Sequence, residues 1–440
     1  MDASLNAYGK MSLRGFDICH IRPGCNMTVQ RNKVCGVDIH KKFLIATMLS
    51  RDKTKKQKRF GTDIEDLLNF RDWVINENCD CVAIESTGVY WYPVHAVLEN
   101  KVELILANAH QIKHTPGRKT DALDSEWIAE LALNNLIDPS RILPKGDREL
   151  RRFTRARESL VNMRSQMKNQ VHQGLESCSV KLSSVLSDNF GKSGRHILDG
   201  LIKGKSVEMI IDGIPSKRVR KNADQIRTAI RTGLDQTQIF LIKSNLDTID
   251  CLTQKLDEID LEIKQRVSGR KDDLKIAMSV PGIGFTAATT ILAEIGNYRD
   301  FSAPDKLAAW CGIVPSVYQS ADKLLTGSIT KQGSKHIRWI LVQVAQAAAK
   351  KRGSKLRKFF LRVKARKGHN VAIVALARKI LCILYHLLMN KEMYQEDGVE
   401  KSRTSRFDFS LTADTMSLET MIQIVAKAGY VVKKIERHGG

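Results

Sequence analysis

The hydrophobic pattern of this chain changes at about residue 147, and that change limits what the chain can fold into. Between Lys33 and Pro144, short strand-like runs alternate with helical runs. Beyond Asp147 the apolar residues recur every three or four positions over long stretches, which is typical of helices that pack together. The pattern predicts an α/β domain followed by a mainly α-helical region.

Three strands and three helices are predicted in the α/β domain. The first apolar run, although interrupted by His40-Lys41-Lys42, is interpreted as one strand of a hairpin, and the Lys/Arg cluster Arg51–Arg59 as the solvated turn of that hairpin. The predicted strands are Val34–Met48, Cys81–Glu85 and Val102–Ala107, and the predicted helices are Ile64–Asn76, Tyr92–Glu99 and Ala122–Leu133.

Two long apolar stripes follow Asp147, and they predict an antiparallel helical hairpin or coiled coil. Either the core of one chain's bundle or a dimerisation arm would explain them. The stripes are Leu150, Phe153, Leu160, Met163, Met167, Val171 and Leu175, then Ile239, Ile242, Leu246, Ile249, Leu252, Leu256, Ile259, Ile263 and Val267. Residues 191–214 between them predict a small helical tip.

Four acidic residues stand in three short signatures of the α/β domain. Asp38 lies in VCGVDIHKK inside an apolar run, and Glu85 ends the apolar run of CVAIESTGVYW. Asp121 and Asp124 lie in RKTDALDSE, at a spacing that places both on one face of a helix. Carboxylates that converge from two strands and a helix suit two divalent ions, which clamp the attacking and leaving oxygens of a phosphodiester.

A structural interpretation competes for each of these acids. An acidic pair in the first turn of a helix often only complements the helix dipole, which would explain Asp121 and Asp124. Asp38 is harder to explain in this way, because a carboxylate inside an apolar strand is unfavourable without a partner. The order of the four acids matches a ribonuclease-H-like layout, so the sequence favours a metal-dependent nuclease centre.

The charge of the chain indicates a polyanionic partner. The 440 residues carry a formal net charge of +23, and neutralising phosphates releases counterions, which dominates such binding. Lys331–Asn370 contains thirteen Lys or Arg and no Asp or Glu, which favours a nucleic-acid surface over an ordinary solvated helix. The candidate contacts are Lys331, Lys335, Arg338, Lys350, Lys351, Arg352, Lys355, Arg357 and Lys358.

Cysteine usage and hydropathy exclude other classes of protein. The nine cysteines are scattered, and the close pair Cys79 and Cys81 has no matching second pair for zinc. They are interpreted as reduced thiols of a cytoplasmic protein. No apolar stretch is recognised as a membrane span and no signal peptide is found, so no membrane partner is expected.

A glycine turn follows the helical region at Ser279-Val280-Pro281-Gly282-Ile283-Gly284. It resembles a helix-hairpin-helix element, in which backbone N–H groups at Gly282 and Gly284 approach a DNA phosphate. A plain turn between two helices would show the same residues. The segment continues through LAAWCGIVP, Gln319-Ser320-Ala321 and GSITKQGSKHIRWIL.

Taken in order, these motifs resemble the DEDD-type transposases of the insertion-sequence-110 family, which are RNA-guided recombinases. The resemblance covers roughly residues 33–390. It implies an α/β RNase H-like (RuvC-like) N-terminal domain, a helical coiled-coil arm and a mainly α-helical C-terminal transposase domain with a helix-hairpin-helix-like element. The implied boundaries are an extension at 1–32, the nuclease domain at 33–146, the arm at 147–270, the transposase domain at 271–395 and an extension at 396–440.

The resemblance also implies the chemistry. Asp38, Glu85, Asp121 and Asp124 would bind Mg²⁺ or Mn²⁺, and Ser320 would be the nucleophile that forms a phosphoserine with DNA. The family commonly has Gln-Ser-Gly where this chain has Gln319-Ser320-Ala321, so Ser316, Ser328 and Ser334 remain candidates. The implied partners are double-stranded DNA at element ends and target, a structured noncoding guide RNA, and further copies of the chain in a dimer or tetramer whose subunits share the site.

Two alternatives to a recombinase remain at this point. A metal-dependent junction resolvase would use the four carboxylates and a water nucleophile, and it would leave no covalent adduct. A noncatalytic architectural protein would need only the basic tract and the glycine turn, but it would leave Asp38 unexplained.

Overall fold

A computed structural model describes residues 30–85, 88–107, 121–320 and 323–396, and for residues 121–123, 318–320 and 323–326 it describes the backbone alone. The chain divides into two compact units, Met1–Pro144 and Lys145–Gly440. Nearly all of the two predicted extensions, 1–32 and 396–440, lie outside the described residues.

The first unit contains a mixed five-stranded sheet with the strand order β3-β2-β1-β4-β5. β1 pairs antiparallel with β2 and parallel with β4, and β4 pairs parallel with β5. The strands are β1 Lys33–Ile39, β2 Phe43–Ser50, β3 Lys55–Gly61, β4 Cys81–Glu85 and β5 Glu103–Ala107. The prediction of a single strand Val34–Met48 is wrong, because this run divides at residues 40–42 into β1 and β2, which pair with each other.

Three helices cover the two faces of this sheet. The first begins at its N-cap Asp63, whose side chain accepts a hydrogen bond from the N–H of Asp66. α1 is Ile64–Asn76, α2 is Trp91–Leu98 and α3 is Asp121–Leu133, all within one residue of their predicted bounds. α1 and α2 bury their apolar side chains against one face of the sheet, and α3 buries its own against the other.

The prediction of a turn at Arg51–Arg59 is wrong for most of its length. Residues from Lys55 onward form the edge strand β3, which pairs with β2 from Leu49↔Lys55 to Phe43↔Gly61. Its first five residues are exposed and only Phe60 is buried. Lysines are disfavoured in strands generally but common on exposed edges, where their charge prevents pairing with another chain.

Two long antiparallel helices organise the start of the second unit, as predicted. α4 is Lys145–Ser177; the short helices α5 Leu182–Val185, α6 Lys192–Ile202, α7 Val207–Asp212, α8 Lys217–Arg220 and α9 Ala223–Ala229 form the tip, and α10 is Gln236–Arg266. Arg157 pairs with Asp260 at 2.6 Å, whereas Arg164 further along α4 bonds Thr253. The reversed order of these contacts shows that the two helices are antiparallel.

Seven of the nine residues of the second apolar stripe are buried inside the single chain, whereas in the first stripe Leu150, Val171 and Leu175 are buried and the residues between them are partly or fully exposed. Val171 and Leu175 of α4 pack with Ile242 and Leu246 of α10 and with the tip helices. The bundle-core interpretation therefore accounts for these residues. Met163 is an exception, since it is 48% exposed and does not belong to a core stripe.

The rest of the second unit is a helical core with one small hairpin. The helices are α11 Lys271–Ser279, α12 Phe285–Ile295, α13 Pro304–Trp310, α14 Lys335–Lys350, α15 Lys355–Lys367 and α16 His369–Asn390. Strands β6 Pro315–Ser320 and β7 Lys323–Ile329 form an antiparallel pair between α13 and α14. The sequence pattern does not predict this hairpin, because the apolar residues of its two strands neither form a continuous run nor alternate regularly with polar residues.

One long apolar helix was not predicted from the sequence. Among the described helices, α16 alone is long and apolar enough to cross a bilayer by length and composition, with a mean hydropathy of 2.0 in its most apolar stretch. Half of that stretch is buried, including Leu376, Ile380 and Leu384 at 0% exposure. The helix packs against α11, α13, α14 and α15, so it is a core helix of the second unit.

Candidate active site

Asp38 and Glu85 lie side by side at one edge of the sheet. β1 and β4 are parallel, and their register pairs Val37 with Ile84, so the next positions along the two strands are Asp38 and Glu85. Neighbouring strands lie about 4.8 Å apart. The two acids are therefore neighbours at the carboxyl ends of parallel strands.

Both side chains point to the face of the sheet that α3 covers. Side chains alternate between the two faces along a strand, and Val34, Cys81 and Ala83 all pack against α3. Asp38 is an even number of residues from Val34, and Glu85 from Ala83. The register and the alternation thus place both carboxylates on one side.

Gly36 lets α3 approach β1 closely. A Cβ atom at Gly36 would lie 2.2 Å from the carbonyl oxygen of Ser125 and 2.3 Å from the nitrogen of Ala129. The hydroxyl groups of Ser125 and Thr47 share a hydrogen bond of 2.7 Å nearby. Any side chain larger than hydrogen at position 36 would therefore push the helix away from the strand.

The direction of α3 brings Asp124 toward the same edge. Arg31, which precedes β1, donates a hydrogen bond to Asn135, which follows α3. The end of the helix thus lies beside the start of β1, so its first turn lies toward the carboxyl end of that strand. Asp124 stands in this first turn, and the backbone of Asp121 begins the helix.

Asp38 is the penultimate residue of β1 rather than a mid-strand residue. Its side chain is only 16% exposed, and its Oδ2 lies 3.0 Å from Nε2 of His40. A carboxylate at that position has a hydrogen-bond partner in the protein itself, so its burial alone is weaker evidence for a metal than the sequence suggests.

The structure brings together part of the predicted carboxylate set. Carboxylate oxygens are suitable ligands for Mg²⁺ or Mn²⁺, and register and helix direction bring Asp38, Glu85 and Asp124 toward one edge. Within the described residues, no three His, Cys, Asp or Glu side chains form a group that could hold a metal ion. The side chain of Asp121 lies outside the described part of the chain.

Ser320 is the last residue of β6, next to the two residues that connect β6 to β7. Its backbone pairs with Lys323, and its side chain and residues 321–322 lie outside the described part. Two alternative serines have structural bonds: Ser316 donates to the carbonyl of Ser328 at 2.9 Å, and Ser334 accepts from the N–H of His336 as the N-cap of α14.

The glycine turn joins α11 to α12, and its two glycines differ. Gly282 has a φ of +92°, and a Cβ there would lie 2.6 Å from the carbonyl of Val344 in α14. Gly282 is therefore required by close helix packing. Gly284 precedes α12 and has open space where its side chain would be, so only this part of the turn keeps room for a ligand.

The candidate nucleic-acid contacts also separate into two groups. Arg338 and Arg357 donate to main-chain carbonyls, Arg338 to three and Arg357 to that of Lys350. The remaining seven candidates are exposed: Lys331, Lys335, Lys350, Lys351, Arg352, Lys355 and Lys358.

One face of α15 carries five cations, of which the set chosen on sequence includes only Lys358. All five side chains are exposed, and the ion pairs of the described residues include none of them. A helical wheel would have found this face, since three of the five are four residues apart. They are Lys358, Arg362, Lys364, Arg366 and Lys367.

A buried ion pair in the second unit was also not predicted. The carboxylate of Glu294 in α12 has 0% exposure and receives hydrogen bonds of 2.7 and 2.9 Å from Arg155 of α4. Burial raises the pKa of Glu294, but the hydrogen bonds and charges of Arg155, the charge of Arg151 and a hydrogen bond from Ser334 outweigh it and lower the pKa. This acid is charged and structural.

The cysteines near β4 are unreactive thiols. Burial raises the pKa of Cys79 and of Cys81 to about 12, and burial also raises the pKa of Cys35. Only thiolates are good nucleophiles and metal ligands. The seven cysteines in the described residues are all free thiols, in agreement with the prediction of reduced thiols.

Comparison with protein families gives two matches. Residues 35–180 match a family described as a transposase of the DEDD type of IS110, and residues 274–361 match the family described as "Transposase IS116/IS110/IS902 family". Together they cover more than half of the chain. The first segment contains all four candidate carboxylates, and the second contains Ser320 and the glycine turn.

Several curated proteins are similar to this chain over most of its length. The transposase for insertion sequence element IS1111A of Coxiella burnetii is 23% identical over 320 residues, 72% of this chain and 79% of the relative. A probable family 20 transposase of Pseudomonas aeruginosa is 24% identical over 381 residues, 85% and 98%. The pilin gene-inverting protein of Moraxella bovis is 22% identical over 373 residues, 82% and 97%.

Proposed function

The chain belongs to the IS116/IS110/IS902 family of transposases and is a DNA transposase, and we propose that it cuts and rejoins DNA through a carboxylate-bound metal and a phosphoserine. One observation carries the proposal: the parallel register of β1 and β4 sets Asp38 and Glu85 side by side on the sheet face covered by α3. A set of acids converging on one strand edge would repel one another without cations.

The proposed ligands of the metal are Asp38, Glu85, Asp121 and Asp124. Bound Mg²⁺ or Mn²⁺ would polarise the scissile phosphate and neutralise charge on the attacking and leaving oxygens. The mixed sheet with α3 on one face is compatible with the RNase H-like, RuvC-like domain that we propose for residues 33–146.

The proposed nucleophile is the hydroxyl of Ser320. Its oxygen attacks the phosphorus and gives up its proton, the bond from phosphorus to one deoxyribose oxygen breaks, and that oxygen takes up a proton. The serine phosphodiester retains the energy of the broken bond, so the reverse attack by another DNA hydroxyl can rejoin strands without ATP. Ser320 is favoured over Ser316 and Ser334, whose hydroxyls are used in the fold.

The partners of the reaction are proposed from the family. They are double-stranded DNA at the element ends and target, a structured noncoding guide RNA and further copies of the chain in a dimer or tetramer. We propose the coiled-coil arm at residues 147–270, the transposase domain at 271–395, and extensions at 1–32 and 396–440. The formal charge of +23 is sufficient to attract two nucleic acids.

The carboxylate site is tested by isosteric replacement. Asp38→Asn and Glu85→Gln should lower the rate of strand cleavage by at least about 1000-fold, while DNA affinity and Tm stay close to wild type. Asp72→Asn is the matched control, because Asp72 lies on α1 at the opposite face of the sheet and pairs with its neighbour Arg71. Undiminished cleavage by wild-type protein in EDTA would rule out the metal.

The phosphoserine is tested by trapping. Protein incubated with element-end DNA, RNA transcribed from the sequence flanking the gene and Mg²⁺ should form a complex that survives SDS. Ser320→Ala should lose this complex and still bind DNA, whereas Ser316→Ala, Ser328→Ala and Ser334→Ala should keep it. If DNA is cut and no complex survives SDS, water is the nucleophile and the protein acts as a resolvase.

A further inference from the structure

The hairpin that carries Ser320 joins the helical core through a neck, which we define as residues 311–314 and 330–333. Two backbone hydrogen bonds cross it, from Thr330 N–H to the carbonyl of Val314 at 3.0 Å and from Lys331 N–H to the carbonyl of Gly312 at 3.2 Å. The neck is thus the segment that sets the direction of the hairpin.

Two glycines bring the sides of the neck into contact. Gly312 and Gly333 have φ values of +68° and +78°, which favour glycine. A Cβ at Gly312 would lie 2.0 Å from the carbonyl oxygen of Gln332, and one at Gly333 would lie 2.2 Å from that of Trp310. The carbonyl groups of both sides are therefore crowded into a small space.

Arg338 of α14 donates hydrogen bonds to carbonyl groups on both sides of the neck. Its Nη1 donates to the carbonyls of Gln332 and Gly333, each at 2.9 Å, and to that of Cys311 at 3.3 Å. Cys311 lies on the incoming side of the neck and the other two on the outgoing side, so one nitrogen links both. Guanidinium is always charged, and its fixed geometry makes such bonds directional.

The start of α14, the helix that carries Arg338, is also held in place. Ser334 follows the neck directly and caps α14 by accepting a hydrogen bond from the N–H of His336. The ring of His336 in turn contacts Glu158 of α4, with Nδ1 2.6 Å from Oε2. Arg338 therefore connects the hairpin to a helix whose first turn is fixed by a side-chain cap and by a contact with α4.

We propose that Arg338 is a positioning residue for strand transfer: it fixes the serine hairpin relative to α14, and it does not contact nucleic acid. This inference rests on the proposed function, but it holds whichever serine of the hairpin attacks DNA. It revises the expectation from sequence, which counted Arg338 among the phosphate contacts.

The test compares Arg338→Gln with Arg220→Gln. Both arginines donate to a main-chain carbonyl, but Arg220 bonds Ile214 in the helical tip, which lies outside the neck. Loss of the fixed geometry should slow formation of the SDS-resistant complex at saturating DNA by about 100-fold for Arg338→Gln. The DNA dissociation constant and its salt dependence should remain at wild-type values, and Arg220→Gln should react at the wild-type rate.

Arg338→Lys provides the second variant. It keeps the charge and a donor, so it should recover at least about tenfold of the lost rate. It also decides the test if Arg338→Gln does not fold. A purely structural role would lower Tm, affinity and rate together in both variants, and that result would overturn the proposal.

Two other results separate this inference from the proposed function. If Arg338→Gln forms the complex at the wild-type rate, or if its main effect is a weaker, less salt-dependent affinity, Arg338 is not a positioning residue. If wild-type protein cuts DNA and forms no complex, the phosphoserine is wrong and the failure does not concern Arg338.

Discussion

Strand β3 and helix α15 are both rich in lysine and arginine, yet the protein uses their charges differently. In β3, Lys55 pairs with Glu126 at 2.6 Å and Lys56 with Glu77 at 2.5 Å. In α15, the five cations Lys358, Arg362, Lys364, Arg366 and Lys367 form no ion pair with any described residue. The first segment uses its charges within its own unit, and the second presents them to solvent.

The uncompensated charge of α15 costs stability in the isolated protein. Lys358, Arg362 and Arg366 follow one another at four-residue spacing, where like charges repel by about 0.2–0.5 kcal/mol per pair. A helix that keeps such repulsion gains from an anionic partner, so we propose that the exposed cations of α15 contact the phosphates of a bound nucleic acid. Net charge in a sequence does not distinguish these two uses.

The largest expected effect is on stability and concerns Arg151 and Arg155, which pair with Glu294 inside the fold. Glu294→Gln should lower the free energy of unfolding by about 1.5–3 kcal/mol, because it removes the charge-assisted hydrogen bonds that Arg155 donates to this buried carboxylate. Chemical denaturation measures this loss. Asp300→Asn is the control, since that acid is exposed near the end of the same helix. A loss below about 1 kcal/mol would show that buried pairing is as weak as surface pairing.

The ion pair of Glu294 and Arg155 also predicts that the stability of the protein depends on pH. Because the pKa of Glu294 is lowered in the folded protein, its contribution to stability is complete above its unfolded pKa, near 4.5. The contribution is lost as pH falls through the folded pKa. Wild-type protein should therefore lose more stability than Glu294→Gln between about pH 5 and pH 3. Parallel curves for the two proteins would contradict this assignment.

The next effect concerns α15. Changing Lys358, Arg362 and Arg366 together to Gln should weaken DNA binding by about 10- to 100-fold at moderate salt for all sequences alike. The slope of log affinity against log salt should flatten by about 0.9 for each phosphate that the variant no longer neutralises. Tm should stay constant or rise, because repulsion is relieved. An unchanged salt slope would make α15 an ordinary solvated helix.

The smallest effect is expected in β3. Changing Lys55, Lys56 and Lys58 to Gln removes the same formal charge as the α15 variant, so the two proteins form a matched pair. DNA affinity should fall by less than about threefold, and stability should fall by no more than about 1 kcal/mol as the surface pairs are removed. Equal reductions of DNA affinity in the two variants would remove the distinction between the segments.

Regular hydrophobic periodicity predicted most of the fold. Ile64–Asn76 was predicted to the residue, and α4 and α10 follow their apolar stripes, because one buried face per helix leaves a direct trace in sequence. β3 and the β6–β7 hairpin were not predicted. In β3 and in the described ends of the β6–β7 hairpin most side chains are exposed, so the pairing is set by neighbouring strands and by the neck glycines rather than by a period of buried residues.

The family, the order of the four acids and the two long helices follow from the amino-acid sequence, since motifs and periodicity are local properties of the chain. The position of Asp38 and Glu85 as register neighbours on one face required the folded protein, because strand pairing is made between residues far apart in sequence. Folding also decides which cations have bonding partners. Arg338 donates to carbonyls of the neck, Lys55 and Lys56 pair with acids, and the five exposed cations of α15 form no ion pair in the described chain. The charge of each side chain is written in the sequence, but its partner depends on distances that only folding creates.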